Sequence, residues 1–368
     1  MSKGLCDLQA ARGIRLYYEI AGPNRKAWQG DKEELVLLIP GSAADLRRKA
    51  DRQYINMLSQ YLKVLAFDHR NTGQSDKRDE PVSMADYADD VAALIQELVP
   101  DQQPVHVIGV SFGGMVAQHL AIRHPALIKK LVLCCCSTGG AGGSSFPIHE
   151  WYGAEVTVAE RVWMKMCQAN SDRTERWREE NKTMHQALTK MMTEDEAVGA
   201  DDPMRDICLA RQLAARQEHD TWDDIVKLQG MDVVCLGSNK DQITSPQLLQ
   251  VMADRIGCQV KLDFDWGHPF LSADETASPW VNEWLRRGVS TWEIVGGADK
   301  GGIIVRRGLA TTSPQCEERL STGAIVQEME LSGERLQYKL LTGTGPATGW
   351  VSIKLKDKDL AVRTAKKT

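Results

Sequence analysis

The ten residues from Val105 to Gly114, Val-His-Val-Ile-Gly-Val-Ser-Phe-Gly-Gly, restrict what this chain can fold into more than any other stretch. They read as a buried apolar strand that runs into Gly-x-Ser-x-Gly and on into a helical pattern from Met115 to Arg123. A serine on so sharp a strand-to-helix turn stands clear of the sheet with its Oγ exposed. The flanking positions, Gly109 and Gly113, must be small because strand and helix backbones pass close together there. Ser111 is therefore the candidate nucleophile. A structural glycine-rich turn is the alternative, and the strand before and helix after argue against it.

The surrounding sequence alternates strand and helix. A hairpin is expected from Leu5 to Ala10 and Arg15 to Ala21. Leu35 to Ile39 is a continuous apolar run, as in strands covered on both faces, and it ends at Pro40-Gly41-Ser42. A helix around Asp45 to Leu62, a strand from Val64 to Phe67 and a helix from Met84 to Leu98 lead to the Ser111 unit. A further strand runs from Ile128 to Cys136. This order predicts a parallel sheet with helices on both faces.

The alternation stops at the glycine- and serine-rich stretch 137–145. Residues from about 147 to 225 give no strand signal and are rich in charge, Met and Trp. A helical cap over about 137–225, inserted into the sheet domain, is expected. Its Met and Trp side chains either fill the core of the insert or line an apolar substrate pocket. Trp151, Trp163 and Met164 are the pocket candidates. Strand–helix order returns with Val233 to Gly237, a helix around Gln247 to Ile256, a strand from Val260 to Phe264 and a last helix near Ala277 to Arg287. From Ser290 onward, short β-like runs and glycines predict a small all-β domain of five or six strands. The expected domains are 1–288 and 289–368. The basic tail, including Lys354, Lys358, Lys366 and Lys367, reads as a solvated end.

Composition excludes several function classes. Net charge is −5, so there is no global case for nucleic-acid binding. No apolar run approaches the length of a membrane span, and the opening residues lack the apolar core of a signal peptide. Nine cysteines include the adjacent Cys134, Cys135 and Cys136, with no Cys-x-x-Cys pair. Alternation along a strand keeps those three from converging on one metal. Reduced, buried cysteines in the cytoplasm are expected, with neither metal nor cofactor.

A serine hydroxyl needs a base within hydrogen-bond reach, and the base needs an orienting carboxylate. His268, in Asp265-Trp266-Gly267-His268-Pro269-Phe270, follows the last strand of the expected sheet. Strand C-terminal ends are where open parallel sheets place their sites. His69 also sits at a strand end and is its competitor. Asp241, after the penultimate strand, is the candidate acid, with Asp265 as the alternative and an ordinary turn aspartate as the structural reading. The oxyanion calls for donors already in place. The backbone amides of Phe112 and Ser42 fit, with Gly41 permitting close approach of that loop.

On these residues the chain resembles the α/β-hydrolase fold superfamily over roughly residues 5–288. The likeness rests on Gly109 to Gly113, on Gly237 to Asp241, on Gly267-His268 and on the order Ser, acid, His. Asp68 to Ser75 is similar to the family's loop after the fourth strand, where Asp68 and Arg70 would be structural. Pro40-Gly41 replaces the His-Gly that opens the oxyanion loop in many relatives. The resemblance implies a mostly parallel eight-stranded sheet with a cap after the sixth strand. It also implies cofactor-free attack on a carbonyl through an acyl-enzyme. The β-rich end resembles an SH3-like barrel through Gly349-Trp350-Val351, a module suited to binding a peptide or docking within the chain. A serine esterase or lactonase acting on a small to medium acyl compound is expected. Acyl transfer, C–C bond hydrolysis and a non-catalytic ligand receptor or scaffold are the alternatives.

Overall fold

The computed structural model describes residues 2–22, 35–99, 103–153, 155–286, 291–356 and 358–364. The expected boundary at 288/289 and the tail residues Lys366 and Lys367 lie outside the described residues. The chain divides into two compact units, Met1–Leu285 and Arg286–Thr368.

In chain order the first unit holds β1 (Ser2–Leu8), α1 (Gln9–Arg12), β2 (Ile14–Ala21), β3 (Leu35–Ile39), α2 (Lys49–Leu58), β4 (Lys63–Phe67), α3 (Met84–Leu98), β5 (Val105–Val110), α4 (Phe112–Arg123) and β6 (Ile128–Cys134). Five helices follow before the next strand: α5 (Glu150–Gly153), α6 (Val158–Ala169), α7 (Glu175–Glu180), α8 (Lys182–Glu196) and α9 (Arg205–Gln217). The unit closes with β7 (Val233–Leu236), α10 (Pro246–Ile256), β8 (Gln259–Lys261), α11 (Phe270–Ala273) and α12 (Ala277–Arg286).

The eight strands form one sheet in the order β1-β2-β4-β3-β5-β6-β7-β8. β1 pairs antiparallel with β2, and β2 with β4; every later pairing is parallel. Strand alternation sorts the apolar side chains into two cores. Leu37, Ile39, Val107, Leu131 and Leu133 face α3, α4 and α10. Val36, Leu38, Ile108, Val110 and Val132 face α2, α11 and α12. Because both faces are covered, the central strands read as unbroken apolar runs. α3 starts where the sequence predicts. Ser83 Oγ accepts the Asp86 amide while the Asp86 carboxylate accepts the Ser83 amide, a reciprocal cap.

Several elements are shorter than expected, among them α2, β8 and β6, which stops at Cys134 rather than Cys136. α2 begins at Lys49 rather than Asp45, because the Asp45 carboxylate takes the Arg47 amide and holds 45–48 as a turn. β8 is confined to Gln259–Lys261. Beyond it Asp263 bridges back antiparallel to Ser238, and Phe264 turns inward to stack on Phe270.

The second unit holds β9 (Thr291–Ile294), β10 (Ile303–Arg306), β11 (Gln315–Leu320), β12 (Ile325–Ser332), β13 (Arg335–Thr342), β14 (Thr348–Ser352), β15 (Lys354–Leu355), β16 (Lys358–Asp359) and β17 (Ala361–Thr364). Seven of these form one antiparallel sheet in the order β11-β10-β14-β13-β12-β9-β17, and β15 pairs with β16. That is more than the five or six strands expected. The sheet edge β11 (Gln-Cys-Glu-Glu-Arg-Leu) is mostly exposed, and edge strands carry charge rather than an apolar signal. Trp350 is only 8% exposed, so it packs rather than offering a binding face. Among the described residues, no helix is long and apolar enough to cross a membrane.

Candidate active site

The turn from β5 into α4 places Ser111 at φ 54°, ψ −117° as the residue before the helix. For a non-glycine residue such a conformation costs about 1–3 kcal/mol and persists only when its surroundings over-determine it. They do so here. The Ser111 amide donates to Cys134 O at 2.9 Å, and the Ser111 carbonyl accepts the amides of Gly114 and Met115. The glycines are required by contact. A Cβ on Gly109 would lie 2.5 Å from Gly113 O and 2.7 Å from Ala117 Cβ, and one on Gly113 would overlap the Ile39 carbonyl.

The end of β6 knits the neighbouring loops together. Cys134 O accepts the Ser111 amide, the next residue's carbonyl accepts Thr244 Oγ1 at 2.9 Å, and Cys135 Sγ donates to His268 O at 3.5 Å. Cys135 adopts φ 40°, which breaks the strand alternation and points its thiol at the histidine loop.

Asp241, 3% exposed, uses its two oxygens for different tasks. Oδ1 accepts the amides of Ile243 at 2.8 Å and Thr244 at 3.0 Å, closing the loop after β7. Oδ2 accepts the Nδ1 proton of His268 at 2.8 Å. It is thus at once the ordinary turn aspartate and the histidine's partner. His268 is carried by Trp266 and Gly267, both left-handed. Its amide donates to Ala169 O at 2.7 Å, and a side chain at Gly267 would overlap that same carbonyl. Burial disfavours the charged ring, but the Asp241 carboxylate outweighs it and holds the His268 pKa well above the ordinary imidazole value. The alternative acid, Asp265, faces solvent and pairs with Lys240 at 2.5 Å.

His69, the competing base, is 1% exposed and donates from Nε2 to Pro40 O at 3.1 Å. Its ring packs edge-on against Phe67, Tyr87 and Phe112, and burial pushes its pKa down to about 4, so it stays neutral. It therefore props the loop at Pro40-Gly41-Ser42. That loop passes directly over Ser111, since a Cβ on Gly41 would lie 3.7 Å from Ser111 Cβ. Ser42 Oγ is buried without a hydrogen-bond partner among the described residues. Asp68 is buried and accepts the amides of Leu46 and Gln74, and Arg70 pairs with the buried Asp90, both structural arrangements. Of the remaining histidines, His106 is buried within β5, His119 and His219 are hydrogen-bonded to each other at 3.2 Å, and His124 pairs with Asp89.

Residues 34–273 match the family described as the alpha/beta hydrolase fold. The chain belongs to this family. Over 150 residues it is 28% identical to the proline iminopeptidase PfmaB of Pestalotiopsis fici, covering 41% of this chain and 48% of that relative. Over 81 residues it is 41% identical to RutD of Serratia proteamaculans, a protein named for carbamate hydrolysis, covering 22% of this chain and 29% of that relative. These matches span less than half of either relative's length. The enol-lactonase from Burkholderia xenovorans LB400 shares the fold. Its TM-score is 0.57 at 17% identity, covering 77% of this chain and all of that one.

In this α/β-hydrolase a cavity of about 490 Å³ opens beside the Ser42–Ala43 loop, with Ala43 in its wall. Its lining mixes charged and apolar side chains, with Arg48, Arg161 and Glu196 beside Tyr152, Leu209 and Leu213. A second cavity of about 260 Å³ is bordered by Met115, Ser137, Pro147, Arg216 and His219. Trp151, Trp163 and Met164, expected as pocket wall, border neither. Trp151 is 6% exposed in a cluster with Ile148, Leu213 and Ile243, and Met164 packs against that cluster. Trp163 Nε1 donates to Glu175 Oε1 at 3.0 Å and its ring meets His185. Of the Met and Trp residues of the insert, Trp151 and Met166 are buried, while Met184 is exposed.

A metal has a poor seat here. Ligand atoms of Cys135, Asp241 and His268 lie within 4.8 Å of one another, but the Asp241–His268 hydrogen bond occupies two of them, so a cation would have to displace the Nδ1 proton. Sequence reasoning missed Cys135, and it also missed Gln212 of α9. Gln212 is fully buried, and its Oε1 accepts the Ala43 amide at 2.6 Å. Nothing local marks either residue.

Proposed function

We propose that this protein is a serine hydrolase that cleaves an ester or lactone of a small to medium acyl compound through an acyl-enzyme. The observation that carries the reading is the 2.8 Å hydrogen bond from His268 to the buried Asp241, on loops tied through Cys134 and Cys135 to the strained Ser111 turn. Ser111 Oγ attacks the substrate carbonyl carbon as its proton passes to Nε2 of His268. Asp241 fixes the tautomer that presents Nε2 and stabilises the imidazolium. The amides of Phe112 and Ser42 receive the oxyanion. Collapse of the tetrahedral intermediate breaks the acyl–oxygen bond, and His268 returns the proton to the leaving alcohol. A water, deprotonated by the same imidazole, then releases the acid and frees Ser111.

In this reading α5 to α9 form the cap that selects the substrate, and the cavity beside Ala43, with both charged and apolar walls, suits an acyl group that carries polar and apolar parts. The C–N bond cleavage in the names of PfmaB and RutD favours a second reading, with an amide or carbamate as the scissile group on the same machinery. The C-terminal unit is read as an SH3-like module without catalytic residues, and the protein as cytoplasmic and cofactor-free.

The test is incubation with a fluorophosphonate and with p-nitrophenyl acetate, the label being mapped by mass spectrometry. Label on Ser111 together with ester turnover, both lost in Ser111→Ala, supports the reading. Turnover unchanged in Ser111→Ala overturns it. Replacing the ester by a p-nitroanilide or a carbamate separates the two scissile groups.

A further inference from the structure

We infer that helix α9 switches the oxyanion loop into its working shape, with Gln212 as the positioning residue. The inference rests on the serine-hydrolase reading above. Ala43 follows Ser42, whose amide is assigned to the oxyanion, and it is held at φ 57°, a left-handed conformation that a non-glycine residue adopts only under constraint. Both polar groups of Ala43 are engaged. Gln212 Oε1 accepts its amide at 2.6 Å, and Arg48 Nη1 donates to its carbonyl. Arg48 belongs to the turn leading into α2, so it stays with the sheet domain. Gln212 comes from the far side of the insertion, 169 residues along the chain.

The same helix reaches the acid loop. Leu213, next to Gln212, packs with Ile243, whose amide is held by Asp241 Oδ1. One turn on, the buried Arg216 donates to Phe146 O at 2.9 Å, and the Phe146 amide donates to Ile243 O at 2.7 Å. Gln212 Nε2 and the Tyr87 hydroxyl are both buried without a hydrogen-bond partner among the described residues, and the Tyr87 ring packs edge-on against Phe112. α9 therefore touches the supports of the Ser42 amide and of Asp241. Seating α9 completes the site. Lifting it frees Ala43 to relax toward φ below zero, and the Ser42 amide turns away. Closure of the insert over a bound substrate then becomes the step that assembles the site for chemistry.

The test uses the full-length protein. Gln212→Met keeps the volume and removes the acceptor. We expect kcat for p-nitrophenyl acetate, and the rate of fluorophosphonate labelling at Ser111, to fall together by about 10- to 100-fold. KM stays within about 2-fold, because the lost contact serves the transition state rather than ground-state binding. Gln212→Glu restores an acceptor at the same reach and recovers most of the rate. Gln212→Asn, one methylene too short to reach, carries the same expectation as Gln212→Met should the latter not fold. An unchanged kcat in Gln212→Met or Gln212→Asn, or a Gln212→Glu as slow as either, overturns the inference while the wild type still takes label. A wild-type protein that takes no label at Ser111 overturns the serine-hydrolase reading and this inference with it.

Discussion

The Nδ1 proton of His268 is donated to Oδ2 of Asp241 over 2.8 Å, while the other oxygen of Asp241 is spent on the amides of Ile243 and Thr244. The backbone bonds pin the carboxylate, so the imidazole has one tautomer and one orientation to adopt. In the proposed mechanism Nε2 is thereby the nitrogen left to act on the substrate.

Replacing Asp241 by Asn leaves a side chain of the same shape that still accepts the two loop amides through its carbonyl oxygen. Its amide nitrogen then faces Nδ1 and selects the wrong tautomer. We expect ester kcat/KM to fall by about 10³- to 10⁴-fold while the fold persists. Steady-state kinetics beside a thermal unfolding curve checks this, and a loss below tenfold would remove Asp241 from the mechanism.

The pH dependence follows from the same contact. Asp241 raises the pKa of His268, and the base works only when deprotonated. The rate is therefore full above that pKa and is lost as pH falls through it. The acid limb of kcat/KM should stand above the ordinary imidazole value of about 6.5. His69, pushed down to about 4, does not titrate in that range. A limb at or below about 6.5 contradicts the assignment.

His69→Leu separates a structural histidine from a catalytic one. The variant loses the bond to Pro40 O and the edge contacts with Tyr87 and Phe112. It should be less stable by about 2–4 kcal/mol, yet should still take a fluorophosphonate at Ser111. His268→Leu should stay folded and take label at least about 10³-fold more slowly. Equal labelling of the two variants would reverse the roles assigned here.

Gly113→Ala tests the elbow. The new methyl overlaps the backbone carbonyls of Ile39, at the end of β3, and of Pro40 in the loop after it. We expect a loss of about 3 kcal/mol or more in a denaturant titration, with activity falling alongside. A variant of wild-type stability would mean that strand and helix are not in such close contact.

What the sequence made legible is what short-range sterics and periodicity control. The apolar runs at Leu35–Ile39 and Val105–Val110 announced central parallel strands, because a strand covered on both faces has no polar positions to interrupt it. The glycines around Ser111 announced the elbow, because only a sharp strand-to-helix turn needs them there. The polar edge strand β11 left no such trace.

The order Ser111, Asp241, His268 and their places at strand ends were therefore fixed by the chain itself. Only the tertiary structure seats His69 against Pro40 and His268 against Asp241. Only there does Cys135 meet the histidine loop and Gln212 meet Ala43, 169 residues away. The same packing set Trp151 and Met164 in a cluster with Leu213 and Ile243 and left both charged and apolar side chains around the cavity. Local pattern reports which face of an element is buried, but the partner on that face is chosen by loop closure and packing across the whole domain, and no window of sequence contains it.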